Sequence, residues 1–179
     1  MGVVMAQGMS GVTLVLGGVR SGKSRFAEGE IARCTAPWVY VATGQAFDQE
    51  MRERITEHQS RRDSRWHTVE APFDVAQALD EAGEKPVLLD CLTLWLTNIL
   101  LENRCVDEFV SLLLAALRRR VGPTVLVGNE VGLGVVPESA LGRRFRDEAG
   151  VLHQRIAAEA GRVVFVAAGL PLVLKGKAL

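Results

Sequence analysis

Short apolar runs alternate with longer amphipathic segments along the chain. Residues 12–16 form the first such run, stopped by Gly17 and Gly18, and that length and punctuation predict a buried strand. Residues 23–34 follow as a helix. Residues 38–42 are a second apolar run, closed by Thr43 and Gly44. Residues 48–62 are polar, but Met51, Ile55 and His58 recur at spacings of 4 and 3 and share one helical face. Further along, the pattern predicts strands over 68–70, 86–90, 124–128 and 162–167, and helices over 73–82, 92–101, 108–121 and 138–160. Residues 170–175 read as a last edge strand, a position that tolerates Pro171.

Strands that alternate with helices imply right-handed crossovers and a mainly parallel sheet. The strands are continuous Val/Leu runs rather than alternating ones, which predicts burial on both faces. The fold class is therefore α/β with three layers, and ligands of such sheets lie beyond the carboxyl ends of the strands. A length of 179 residues suits about one domain. Residues 1–11 read as a flexible leader and 12–179 as the domain.

Composition narrows the function. Lys plus Arg and Asp plus Glu number 21 each, so the formal charge is zero, which argues against a non-specific nucleic-acid binder. Hydrophobic residues make up 48% of the chain, too many for a disordered protein. Cys34, Cys91 and Cys105 are an odd set without a C-x-x-C pair, neither a disulfide framework nor a zinc pattern, and point to a reducing cytoplasm. The most apolar stretch, 163–174, is too short to span a bilayer.

The first chemical motif follows the first strand. Gly17, Gly18, Val19, Arg20, Ser21, Gly22, Lys23 and Ser24 match G-x-x-x-x-G-K-[ST], a loop whose backbone N–H groups cradle phosphates at a helix N-terminus. Lys23 would reach the β- and γ-phosphates, and the Ser24 hydroxyl would bind Mg²⁺. Asp90 ends the strand over 86–90, the usual place for a second metal-site acid; its alternative is to cap the next helix. These residues describe an Mg-nucleotide protein of the P-loop NTPase type without choosing among kinases, NTPases and nucleotidyltransferases. Of the three histidines, His67 and His153 carry no signal beyond packing or solvation. His58 lies among Arg54, Arg61, Arg62 and Arg65, a surface cluster or the cations of a triphosphate site. Glu130, in a glycine-bearing segment after the 124–128 strand, would orient a hydroxyl or order its own loop.

Several segments together resemble one family. They are the phosphate loop, Val41-Ala-Thr-Gly, the run from Asp48 to His58, Leu88-Leu-Asp-Cys-Leu-Thr-Leu-Trp-Leu-Thr-Asn98, Asn129-Glu-Val-Gly-Leu-Gly-Val-Val-Pro137 and Arg143-Arg-Phe-Arg-Asp147. In this order they resemble the bifunctional adenosylcobinamide kinase / adenosylcobinamide-phosphate guanylyltransferases of cobalamin biosynthesis. The resemblance implies phosphorylation of adenosylcobinamide by ATP or GTP, then transfer of GMP from GTP to the new phosphate. It implies a guanylyl-histidine intermediate on His58. It also implies nucleotide contacts at Gly17 to Ser24, Ala42, Thr43, Gly44, Gln59, Ser60, Arg61, Arg62, Glu70 and Asp90, and a homotrimer. Where relatives often carry Asn, this chain has His153. From the residues alone, a small-molecule kinase without guanylyl transfer and a nucleotide-binding regulatory module stay open.

Overall fold

The computed structural model describes residues 9–46, 49, 53, 56 and 62–177. Seven strands form one sheet: β1 (Met9–Gly17), β2 (Trp38–Ala42), β3 (Trp66–Glu70), β4 (Val87–Asp90), β5 (Thr124–Asn129), β6 (Ala160–Ala167) and β7 (Leu170–Lys175). Their spatial order is β3-β2-β4-β5-β1-β6-β7. Every pairing is parallel except β6 with β7. The predicted mainly parallel sheet is therefore what the chain forms, with the antiparallel edge strand β7 making it mixed and the carboxyl ends of the parallel strands along one edge.

Five helices lie among the described residues: α1 (Lys23–Ala32), α2 (Val75–Glu81), α3 (Leu92–Leu101), α4 (Val106–Arg119) and α5 (Ala140–Glu159). Period-2 alternation sends successive strand residues to opposite faces. Leu14, Val39, Val41, Leu89 and Leu126 pack with α2, α3, α4 and α5 in one core. Val15, Trp38, Tyr40, Leu88 and Val127 pack with Ala27 and Ile31 of α1 in the other. Helix α4 shows how the pattern works: Val106, Val110, Leu113, Leu114 and Leu117 face inward, with Asp107 and Glu108 in the first turn and Arg118 and Arg119 in the last. That charge order complements the helix dipole.

Several boundaries differ from the sequence reading, among them the starts of two strands and a helix. Strand β1 begins at Met9, inside the stretch read as a leader, because Met9 pairs with Ala160 after a register shift and is buried. Strand β3 begins at Trp66, where the residues are polar and the strand lies at an edge that apolar runs do not mark. Helix α4 starts at Val106, two residues before the predicted 108. The predicted helix over 48–62 lies mostly outside the described residues; at Gln49, Glu53 and Thr56 the backbone is helical, and Gln49 donates to Glu53 at 3.1 Å.

Candidate active site

The phosphate loop is locked from both sides. Gly17 closes β1 in a space that admits no Cβ, which would meet the Val166 carbonyl at 2.5 Å. Gly22 (φ +93°) turns the chain into α1 through the left-handed region, where glycine carries no steric penalty. The two-residue turn between β6 and β7, Ala168 and Gly169, rests on the loop: the Gly169 N–H donates to the Ser21 carbonyl at 2.8 Å. Helix α1 has neither a side-chain cap nor an acid in its first turn, so its leading N–H groups and positive dipole end face the loop uncompensated. Lys23 is buried, and its ammonium donates across the loop to the Gly18 carbonyl at 3.1 Å. The Ser21 hydroxyl is buried without a partner. A loop with unused donors and a cation folded over it is built to receive an anion.

The second wall comes from β2, β3 and β4. Glu70, Ala42 and Asp90 stand side by side in register at the same edge. Thr43, fully buried, donates its hydroxyl to the Cys91 carbonyl at 2.7 Å and accepts from the Cys91 N–H at 2.9 Å. Asn98 of α3, also buried, donates to the carbonyls of Thr43 (2.8 Å) and Pro72 (2.9 Å), tying the ends of β2 and β3 to one side chain. Asn129 reaches Thr93 at 2.6 Å, and Thr93 lies 3.2 Å from the Cys91 thiol. Burial, helped by the Asp90 charge, pushes that thiol up to about 11, so it is protonated at neutral pH and is no nucleophile. The Tyr40 hydroxyl donates to Asp90 Oδ2 at 3.1 Å, and burial followed by the same carboxylate raises its pKa, keeping it a donor. Arg62 lies over the Tyr40 ring, its guanidinium carbon 3.6 Å from the centroid.

The predicted site residues thus gather at one edge: Gly17 to Ser24 from the β1–α1 loop, Ala42, Thr43 and Gly44 after β2, Arg62 before β3, Glu70 at its end, and Asp90 at the end of β4. His58, Gln59, Ser60 and Arg61 lie outside the described residues. Asp90 does not cap α3; the Cys91 sulfur accepts from the Leu94 N–H instead. Among the described residues no three His, Cys, Asp or Glu side chains cluster as a metal cage. What Ser24 and Asp90 offer is one hydroxyl and one carboxylate. Such a sparse, all-oxygen set fits Mg²⁺, which keeps waters and takes phosphate oxygens rather than an all-protein cage.

The family model described as cobinamide kinase / cobinamide phosphate guanyltransferase matches residues 13–174. The chain belongs to this family. The bifunctional adenosylcobalamin biosynthesis protein CobP of Pseudomonas aeruginosa is 49% identical over 93% of this chain and 98% of the relative. CobU of Salmonella typhimurium, with the same bifunctional description, is 42% identical over 90% of this chain and 98% of its own. Among solved structures, a type III secretion system ATPase superposes with a TM-score of 0.51 at 11% identity, over 90% of this chain and 56% of its own length. That likeness concerns the fold alone.

Other residues of this family member take supporting roles. The Glu130 N–H donates to the Gly17 carbonyl at 2.9 Å, and its carboxylate accepts from the Gly132 N–H at 2.6 Å. It orders its own loop against the phosphate loop. His153 lies under the sheet, its Nε2 buried and unpartnered, 2.6 Å from where a Cβ on Gly128 would stand. Burial lowers its pKa, against a smaller opposing pull from Glu130. His67 is exposed on the edge strand. The sequence reading gave no role to Tyr40, Thr93, Asn98 or Asn129. Asn98 had a signal: it is a lone amide in the apolar run of α3, whose burial requires partners.

Proposed function

We propose that this chain phosphorylates adenosylcobinamide with ATP or GTP and then transfers GMP from GTP to adenosylcobinamide phosphate, giving adenosylcobinamide-GDP and pyrophosphate. The observation that carries the reading is family membership across residues 13–174, joined to a phosphate loop whose lysine, open helix terminus and strand-end acid converge. The loop N–H groups and Lys23 hold the β- and γ-phosphates and meet the charge that develops as they leave. Ser24 and Asp90 would hold Mg²⁺, which supplies charge neutralisation on the phosphates when bound.

The guanylyl transfer is assigned to His58. A neutral imidazole is a competent nucleophile near pH 7. Its nitrogen attacks the α-phosphorus of GTP, the bond to the pyrophosphate oxygen breaks, and the protein carries GMP as a phosphoramidate. An oxygen of adenosylcobinamide phosphate then displaces the histidine, so one hard displacement becomes two. Gln59, Ser60, Arg61, Arg62, Glu70 and the Ala42–Gly44 segment complete the nucleotide site in this reading. In this reading the enzyme acts in the cytoplasm, a reducing compartment that suits the free thiols of Cys34, Cys91 and Cys105, and assembles as the homotrimer that the resemblance implies.

The test is labelling by GTP carrying ³²P at the α-position, with Mg²⁺, for wild type and His58→Ala. Label that survives denaturation and alkali, is lost in acid and is absent from the variant supports the reading. Absence of label in a wild type that still binds nucleotide would reject His58 as nucleophile. Phosphorylation of adenosylcobinamide from γ-labelled ATP would then decide for a kinase alone.

A further inference from the structure

We propose that Tyr40 is a positioning residue for the nucleotide's cation: it holds Asp90 by one carboxylate oxygen and presents the other to the metal. The proposal rests on the reading of Asp90 as a metal ligand. Tyr40 is 5% exposed in the middle of β2, and its partner strand carries Asp90 two residues beyond the position paired with it. The hydroxyl spans that diagonal and donates to Oδ2 at 3.1 Å. Among the described residues no hydrogen bond reaches Oδ1. The ring cannot swing the hydroxyl away. Arg62 lies over it at 3.6 Å, and Trp66 meets it edge-on with centroids 6.2 Å apart. A carboxylate on a short strand end has two soft torsions, and a fixed donor on one oxygen selects the orientation of the other.

A ring without the hydroxyl keeps both ring contacts, which makes Tyr40→Phe the decisive variant. The experiment measures Mn²⁺ binding by electron paramagnetic resonance to the full chain saturated with β,γ-imido-GTP. It compares wild type, Tyr40→Phe, Asp90→Asn and the double variant, with circular dichroism to confirm the fold. The expected result is about tenfold weaker Mn²⁺ binding in Tyr40→Phe, the size of one hydrogen bond to a charged group. Asp90→Asn should weaken it further, and adding Tyr40→Phe to Asp90→Asn should change nothing more. A purely structural tyrosine would give the same loss in both backgrounds, and that result overturns the proposal. Wild-type Mn²⁺ affinity in Tyr40→Phe with a loss in Asp90→Asn overturns it too, and leaves the Asp90 reading standing. Wild-type affinity in Asp90→Asn removes that reading and the proposal together.

Discussion

The two faces of the sheet are covered by different materials. One meets α2, α3, α4 and α5 and fills mainly with aliphatic side chains around Trp95, with Phe73 and Phe109 at its margin under the Arg104 guanidinium. The other meets α1 among the described helices, and its outer strands carry Trp38, Tyr40 and Trp66 with the guanidiniums of Arg62 and Arg65 laid over Tyr40 and Trp38. Aliphatic cores give stability but offer nothing to a charged ligand. Aromatic rings bury area and still accept a cation on their faces. The difference is in what the stacked cation adjoins: Arg62 lies on Tyr40, whose hydroxyl holds Asp90, whereas Arg104 lies on Phe73 and Phe109 of the aliphatic-rich side, a division of labour between strand-end acid and stability. Asn98 crosses between them, reaching from α3 to the chain ends after β2 and β3.

The largest expected effect tests the thick face. Trp95 is 1% exposed and donates to the Phe73 carbonyl. Trp95→Ala should lower the unfolding free energy by about 3–5 kcal/mol in urea titrations. Nucleotide affinity of the folded protein should stay at the wild-type value, and a parallel loss of affinity would end the division of labour. Lys23→Ala is the reciprocal experiment. Turnover in the adenosylcobinamide phosphorylation assay should fall by about 10²–10³-fold, while stability should change by about 1 kcal/mol or less, the worth of its bond to Gly18.

The smallest effect concerns the buried histidine of the thick face. Burial lowers the pKa of His153 below its ordinary 6.5, so the unfolded chain binds the proton more readily. The stability this gives is fully present above pH 6.5 and is lost as pH falls toward the native pKa, with a slope of at most about 1.4 kcal/mol per pH unit. Unfolding curves between pH 7.5 and about 5 should show that slope, and His153→Asn should flatten it; an unchanged slope in the variant would place the titration elsewhere.

Much of this was legible in the sequence where a local pattern suffices. Trp38–Ala42, Leu92–Leu101 and Leu170–Lys175 form over the residues their apolar runs mark, and the phosphate loop stands between its strand and helix. What the sequence hid depends on neighbours brought in by the fold. Met9 is a strand residue because Ala160 lies beside it. Trp66 starts β3 at an edge where half the side chains face water. Tyr40 and Asp90 are 50 positions apart, and only the adjacency of β2 and β4 makes them partners. Glu130 read equally well as a catalytic or a loop-ordering residue until its carboxylate was seen on Gly132.

The placement of β1 also bears on how the protein is made. The phosphate loop leaves the ribosome before β5 and β6, yet β1 is flanked by those two strands, and the turn that rests on the loop is Ala168 and Gly169. Its backbone has no frame until most of the chain has been synthesised. The nascent protein therefore carries this apolar strand with both edges open until β5 and β6 have been made, a template for pairing with other chains. A nucleotide cannot rescue it in that interval, because the site that would bind one is completed last. Chains stopped before β6 should need a chaperone for solubility, and no addition of GTP should replace it.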